Sequence, residues 1–189
     1  MKKLLFLLIV LASFSSQGQE LKKPSEGKSL VYFVRTSGTG FLINFKYFDG
    51  EKYLGKFNYG KYLVYECDPG KHLFWAKSEN TDYLEVELEA GKTYIIDSEP
   101  QMGAIKAGVK LVPFNNNPSS YKNSKKYDNK RESILKSIKT GEEYTISDEA
   151  LLTEKQDLES LVIKTLEKYN KQKEKGNEFT KMPLEMYFE

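Results

Sequence analysis

Phe48-Asp49-Gly50-Glu51-Lys52-Tyr53-Leu54-Gly55-Lys56-Phe57-Asn58-Tyr59-Gly60-Lys61-Tyr62-Leu63-Val64-Tyr65-Glu66-Cys67-Asp68-Pro69-Gly70-Lys71-His72-Leu73-Phe74-Trp75-Ala76 is the stretch that decides the fold. Three turn signals, Asp49-Gly50, Asn58-Tyr59-Gly60 and Asp68-Pro69-Gly70, separate four short runs rich in β-branched and aromatic residues. Asp-Gly tolerates the positive φ of a tight hairpin, and in Asp-Pro-Gly the proline sets φ while the glycine takes the left-handed position. The reading is a string of hairpins.

The pattern extends outward. Residues 29–35 are apolar on both alternating faces, which predicts a central strand covered on both sides. The Gly-rich loop 36–40 lacks the Lys-Ser/Thr pair and following helix of a phosphate loop. A second strand is predicted over 41–48. Beyond the opening stretch, residues 83–89 alternate strictly, with Leu84, Val86 and Leu88 on one face and Glu85, Glu87 and Glu89 on the other. Strands over 93–97 and 109–114 complete a mainly β domain at 28–114. The expected fold is an antiparallel β-sandwich of seven or eight strands.

Composition changes after the linker at 115–120. Tyr127, Ile134, Leu135 and Ile138 recur at helical spacing, with Gly141 as a C-terminal cap. Ser147 caps a second helix, Asp148 and Glu149 lie in its first turn, its stripe is Leu151, Leu158, Val162, Leu166 and Tyr169, and it ends near Lys175 with Gly176 as its C-terminal cap. Residues 119–189 are thus a C-terminal helical extension. Its apolar last residues, 182–188, are suited to docking back on the chain.

Residues 1–19 combine a basic start at Lys2 and Lys3, an apolar run over 4–12, and small residues at Ser15, Ser16 and Gly18. That is the pattern of a secretory signal peptide, and no other run is apolar and long enough to span a bilayer. The expected location is exported, periplasmic or extracellular. The single cysteine, Cys67, lies far from the apolar run, so no lipid anchor and no internal disulfide are expected. Lys2 and Lys3 leave with the signal and no acid does, so 27 basic and 27 acidic side chains remain. A neutral chain lacks the basic footprint of a nucleic-acid binder.

No catalytic or metal constellation stands out, and no cofactor is expected. His72 is the only histidine and reads as a turn or core-edge residue, and Cys67 as a small buried apolar one. Tyr47, Tyr53, Tyr59, Tyr62, Tyr65 and Trp75 either fill the core or form a stacking platform for sugars. Tyr53, Tyr59, Trp75 and His72 are the candidate ligand-binding residues. The basic residues of 121–139 read first as a solvated helix face and otherwise suit an acidic partner or anionic lipid. The apolar stripe of the second helix is expected to pack within the chain, the alternative being an envelope-protein partner docked on the C-terminal helices.

Leu30-Val31-Tyr32-Phe33-Val34-Arg35, Phe48-Asp49-Gly50-Glu51-Lys52, Gly60-Lys61-Tyr62, Pro69-Gly70-Lys71-His72 and Glu89-Ala90-Gly91-Lys92-Thr93-Tyr94 together resemble an uncharacterised bacterial cell-envelope family, domain of unknown function twenty-eight forty-six. Similar turn-and-strand wording occurs in PEGA-type sandwiches. The resemblance covers about half the chain and implies an exported β-sandwich. It supplies no catalytic residues. The function expected is a non-enzymatic binding or scaffold module of the envelope, the alternative being a glycan- or small-ligand-binding sandwich that uses exposed aromatics.

Overall fold

Both faces of the first strand are apolar, and that property propagates into the whole architecture. In a computed structural model, residues 21–102 and 107–188 are described; the signal-peptide reading of 1–19 lies outside them. Strand β1 (Ser29–Val34) is buried at all six positions. Val31 and Phe33 point into the main core, while Leu30, Tyr32 and Val34 point out the other side into a second apolar cluster.

The chain is mainly β, with two five-stranded sheets packed face to face in a sandwich-like arrangement. After β1 come β2 (Phe45–Asp49), β3 (Lys52–Phe57), β4 (Lys61–Cys67), β5 (Gly70–Lys77), β6 (Thr81–Leu88), β7 (Thr93–Met102) and β8 (Ala107–Pro113). Helix α1 (Ser124–Thr140), β9 (Glu142–Glu143), helix α2 (Asp148–Glu174) and β10 (Thr180–Met182) follow. The first sheet has the order β8-β7-β1-β4-β9 and the second β10-β6-β5-β2-β3.

Two expectations change here. The sheets are mixed, because β1 pairs with β7, β4 with β9 and β6 with β10 in parallel. Of the three turn signals, only Asp49-Gly50 closes a hairpin, joining β2 to β3. Asn58-Tyr59-Gly60 and Asp68-Pro69-Gly70 are arches that carry the chain from one sheet to the other. Both still use the expected backbone, with Gly60 at φ +88° and Gly70 at φ +116°. Turn chemistry fixes local φ and leaves open which sheet the next strand joins.

Each sheet also has an apolar outer face, and a helix covers each. Ile134 and Ile138 of α1 close over Leu30, Tyr32, Val34, Tyr62 and Ile95. Leu158 and Val162 of α2, with Leu151, Leu166 and Tyr169 beside them, close over Phe48, Tyr53, Trp75 and Tyr83. The helices begin and end where the caps predict. Ser147 accepts from the Ala150 N–H, and Gly176 follows α2 at φ +81°. The carboxylate face of β6 is therefore less open than its alternation implies. Glu85 lies under the end of α2, accepting from the Tyr169 hydroxyl at 2.6 Å and paired with Lys173.

Side chains and the C-terminus close the sheet edges, which otherwise invite association. Asn80 accepts from the Val109 N–H at 2.6 Å and donates to the Val109 carbonyl at 2.9 Å, and Asp82 accepts from the Leu111 N–H at 2.7 Å. These bonds occupy outward backbone groups of edge strand β8. The last residues dock back as expected. After β10 they cross from the second sheet to the first, where the Phe188 N–H donates to the Thr93 carbonyl at 2.7 Å. There Phe188 packs against Phe114.

Gly55 tests this packing. Its φ is +137°, and a Cβ there would lie 2.4 Å from the Tyr144 ring, which covers β3. We expect Gly55→Ala to cost about 2–4 kcal/mol, combining a backbone strained for an L-residue with overpacking. Urea unfolding should show the loss, and an unchanged midpoint would contradict this placement of Tyr144.

Candidate functional site

Two of the four ligand-binding candidates are buried. Trp75 is fully covered, its ring stacked on Phe48 at 3.7 Å with 1° between planes, and its Nε1–H donates to the Gly50 carbonyl at 2.9 Å. Tyr53 also lies beneath α2, and its hydroxyl donates to Glu154 at 2.6 Å. Burial and that carboxylate push its pKa up. Both do point away from the sandwich interior, as an aromatic platform requires, but a helix from 70 or more residues along the chain covers them. Neither is an exposed stacking residue.

His72 sits at one open end of the sandwich, half-buried. Its Nδ1 lies 2.8 Å from Asp49 Oδ2 and its Nε2 lies 2.9 Å from the Asp68 carbonyl. Both partners are acceptors, so only the doubly protonated ring satisfies both. The hydrogen bond to Asp49 raises the His72 pKa, with burial opposing it. Tyr65 donates to the same Asp49 oxygen at 3.0 Å. Cys67 is buried nearby, and desolvation pushes its thiol up to about 12. A thiol so reluctant to ionise is a poor nucleophile, and both His72 nitrogens are engaged elsewhere. This network ties strand ends together. Among the described residues, no group of three or more His, Cys, Asp or Glu side chains has metal-holding geometry.

The opposite end of the sandwich is built differently. Strand β1 runs out into loop 36–44, and β2 starts at Phe45, not at Phe41 as the sequence suggests. Gly40, at φ +63°, turns the chain, and its carbonyl accepts from the Ile43 N–H at 2.9 Å. Phe41 and Leu42 therefore project from a turn, 58% and 72% exposed. Two buried charges fasten the loop base. The Arg35 guanidinium donates to the Ile43 carbonyl at 2.5 Å and the Gly40 carbonyl at 3.3 Å, and lies 4.0 Å over the Phe45 ring. Asp97 accepts from the Thr36 N–H at 3.1 Å, from the Thr36 hydroxyl, and from Lys130 at 2.5 Å.

Tyr59, the third candidate, belongs to this end. It is 46% exposed, and its ring lies 3.6 Å from where a Cβ on Gly38 would sit. Next to it is a cleft of roughly 340 Å³ lined by Thr36, Gly60, Ser133, Lys136, Ser137 and Thr140. The structure thus sets Tyr59 against Gly38 of the loop that bears Phe41 and Leu42, apart from Trp75, Tyr53 and His72. Sequence reasoning missed Phe41 and Leu42 because they extend an apolar run into β2. The one signal against that reading is Gly40 just before them, whose positive φ turns the chain there.

The apolar stripe of α2 packs within the chain, on the outer face of the second sheet, and the stripe of α1 is likewise covered by the first, so neither is left open for an envelope partner. Leu152 and Ile163 are the large apolar residues left exposed on α2. Among the described residues, no helix is long and apolar enough to cross a membrane. No known protein family, curated protein or solved structure matches the chain.

The His72–Asp49 pair predicts a pH dependence. A histidine pKa raised above its ordinary 6.5 stabilises the fold fully below that value, and the contribution is lost as pH rises through the higher folded value. The stability of the natural chain over a His72→Gln variant should therefore shrink as pH rises from 6 to 9 in urea titrations. A gap that stays constant across that range would rule out the charged pair.

Proposed function

We propose that this chain is an exported, non-enzymatic binding module of the bacterial envelope, and that it docks through the end of the sandwich bearing loop 36–44. One observation carries the reading: Phe41 and Leu42 stand side by side in solvent on a loop held at its base by buried Arg35 and Asp97. An apolar pair on a loose loop can fold back onto the protein. Here the loop is fixed beforehand, so little ordering cost falls on binding. The signal-like residues 1–19 and the resemblance to envelope sandwiches support export and the compartment.

A second reading, glycan binding, is favoured by the cleft beside Tyr59. Hydroxyl side chains and Lys136 line it, and a half-exposed aromatic ring borders it. That arrangement suits a sugar with one apolar face. It differs from the platform expected from the sequence because Trp75 and Tyr53 take no part.

A photo-crosslinking side chain placed at Leu42 should form adducts in the native envelope well above those formed from Leu152, an equally exposed position on α2. Equal yields from the two positions would contradict the docking reading. If Tyr59→Ala removes a melting-temperature shift produced by oligosaccharides while the Leu42 adducts vanish, the glycan reading takes its place.

A further inference from the structure

We propose that loop 36–44 docks on the surface of an anionic lipid bilayer, an inference that rests on the docking reading above and names its occupant. The apolar tip is small. Among the described residues it consists of Phe41 and Leu42, with half-exposed Tyr59 on a neighbouring turn against Gly38 of the same loop. A stable protein interface buries on the order of 1,200 Å² or more around an apolar core. Three side chains fall short of such a core, yet they suit insertion into a headgroup layer, where an aromatic residue with a polar tip is at home.

Charge around the tip supports the same occupant. Lys46 is the second residue after the loop, and the strand registers place Lys56 and Lys77 opposite it on its two neighbours. This lines up three lysines across the end of the second sheet. On the other flank, α1 ends against the turn that holds Tyr59, where the Glu142 N–H donates to the Gly60 carbonyl, and brings Lys136 and Lys139. Lys56 is paired with Glu154 and Lys61 with Glu142, and Glu79 is an exposed acid at this end. No salt bridge among the described residues holds Lys46, Lys136 or Lys139. These cations stand on both sides of the apolar tip.

A tip inserted between lipid headgroups would thus bring lysines from both flanks against phosphate. The apolar pair supplies insertion, and the lysines supply preference for negative charge. Each lysine near such a surface contributes about fivefold in affinity, and the effect is screened by salt.

The test is sedimentation of the chain lacking residues 1–19 with phosphatidylcholine vesicles, with and without about a third phosphatidylglycerol. We expect binding to the anionic vesicles that weakens as salt rises, and little to the neutral ones. F41D/L42D should abolish it with the melting temperature unchanged, and K46E/K136E should weaken it by at least about tenfold. Failure of the natural chain to bind anionic vesicles, or F41D/L42D binding like the natural chain, would overturn the proposal. The Leu42 crosslinker separates the two levels. Protein adducts without vesicle binding leave the docking reading standing and remove the lipid. Neither adducts nor vesicle binding removes both.

Discussion

Each of the two sheets is apolar on both faces, and the rest of the structure depends on that constraint. A sandwich of two sheets hides only the inner faces. The outer ones carry Leu30, Tyr32, Val34 and Ile95 on one side and Phe48, Trp75, Tyr53 and Tyr83 on the other. Aromatic residues bury large areas and dominate the energetics of a core, so these faces require cover. Helices α1 and α2 provide it, giving helix, sheet, sheet and helix in turn. The C-terminal residues then bridge the sheets, with Tyr94 donating to the Leu184 carbonyl and Lys92 lying over the Tyr187 ring.

Much of this was legible in the sequence, and the failures have a common cause. The period-two pattern placed β1 and β6, and Ser147 and Gly176 bounded α2, because strand alternation and helix capping are local physics. The sheet partners were not legible. Gly60 and Gly70 adopt the same left-handed backbone in an arch as in a hairpin, so the turns at 58–60 and 68–70 were misread. Trp75 was read as either a core residue or part of a platform, and it points away from the inner core that holds Leu84. What covers it, Leu158 and Val162, lies more than 80 residues on and is a tertiary fact. Phe41 and Leu42 were hidden in an apolar run, and only the turn at Gly40 separates them from β2.

The two ends of the sandwich show how the same chemistry serves different purposes. At the His72 end, Tyr65, Asp49, His72 and the Asp68 carbonyl answer one another across neighbouring strands. At the loop end, two fully buried charged residues hold the base of an exposed apolar turn. Burying a guanidinium and a carboxylate is costly unless hydrogen bonds satisfy them. The satisfaction here is incomplete: Arg35 Nε has no hydrogen-bond partner among the described residues. Desolvation accordingly lowers the Arg35 pKa. A polar base of this kind, supporting apolar side chains in solvent, is better explained by the loop's shape being needed than by stability alone.

The helices are therefore part of the folded unit and not a detachable docking arm. The most direct measurement is urea unfolding of a chain covering residues 21–117, which keeps β1 through β8 and lacks both helices and the C-terminal strap. With Trp75, Phe48 and Tyr32 uncovered, the account predicts no cooperative transition, together with binding of a hydrophobic dye. A cooperative transition with the midpoint of the full chain would show that the sandwich stands alone, and would contradict the account.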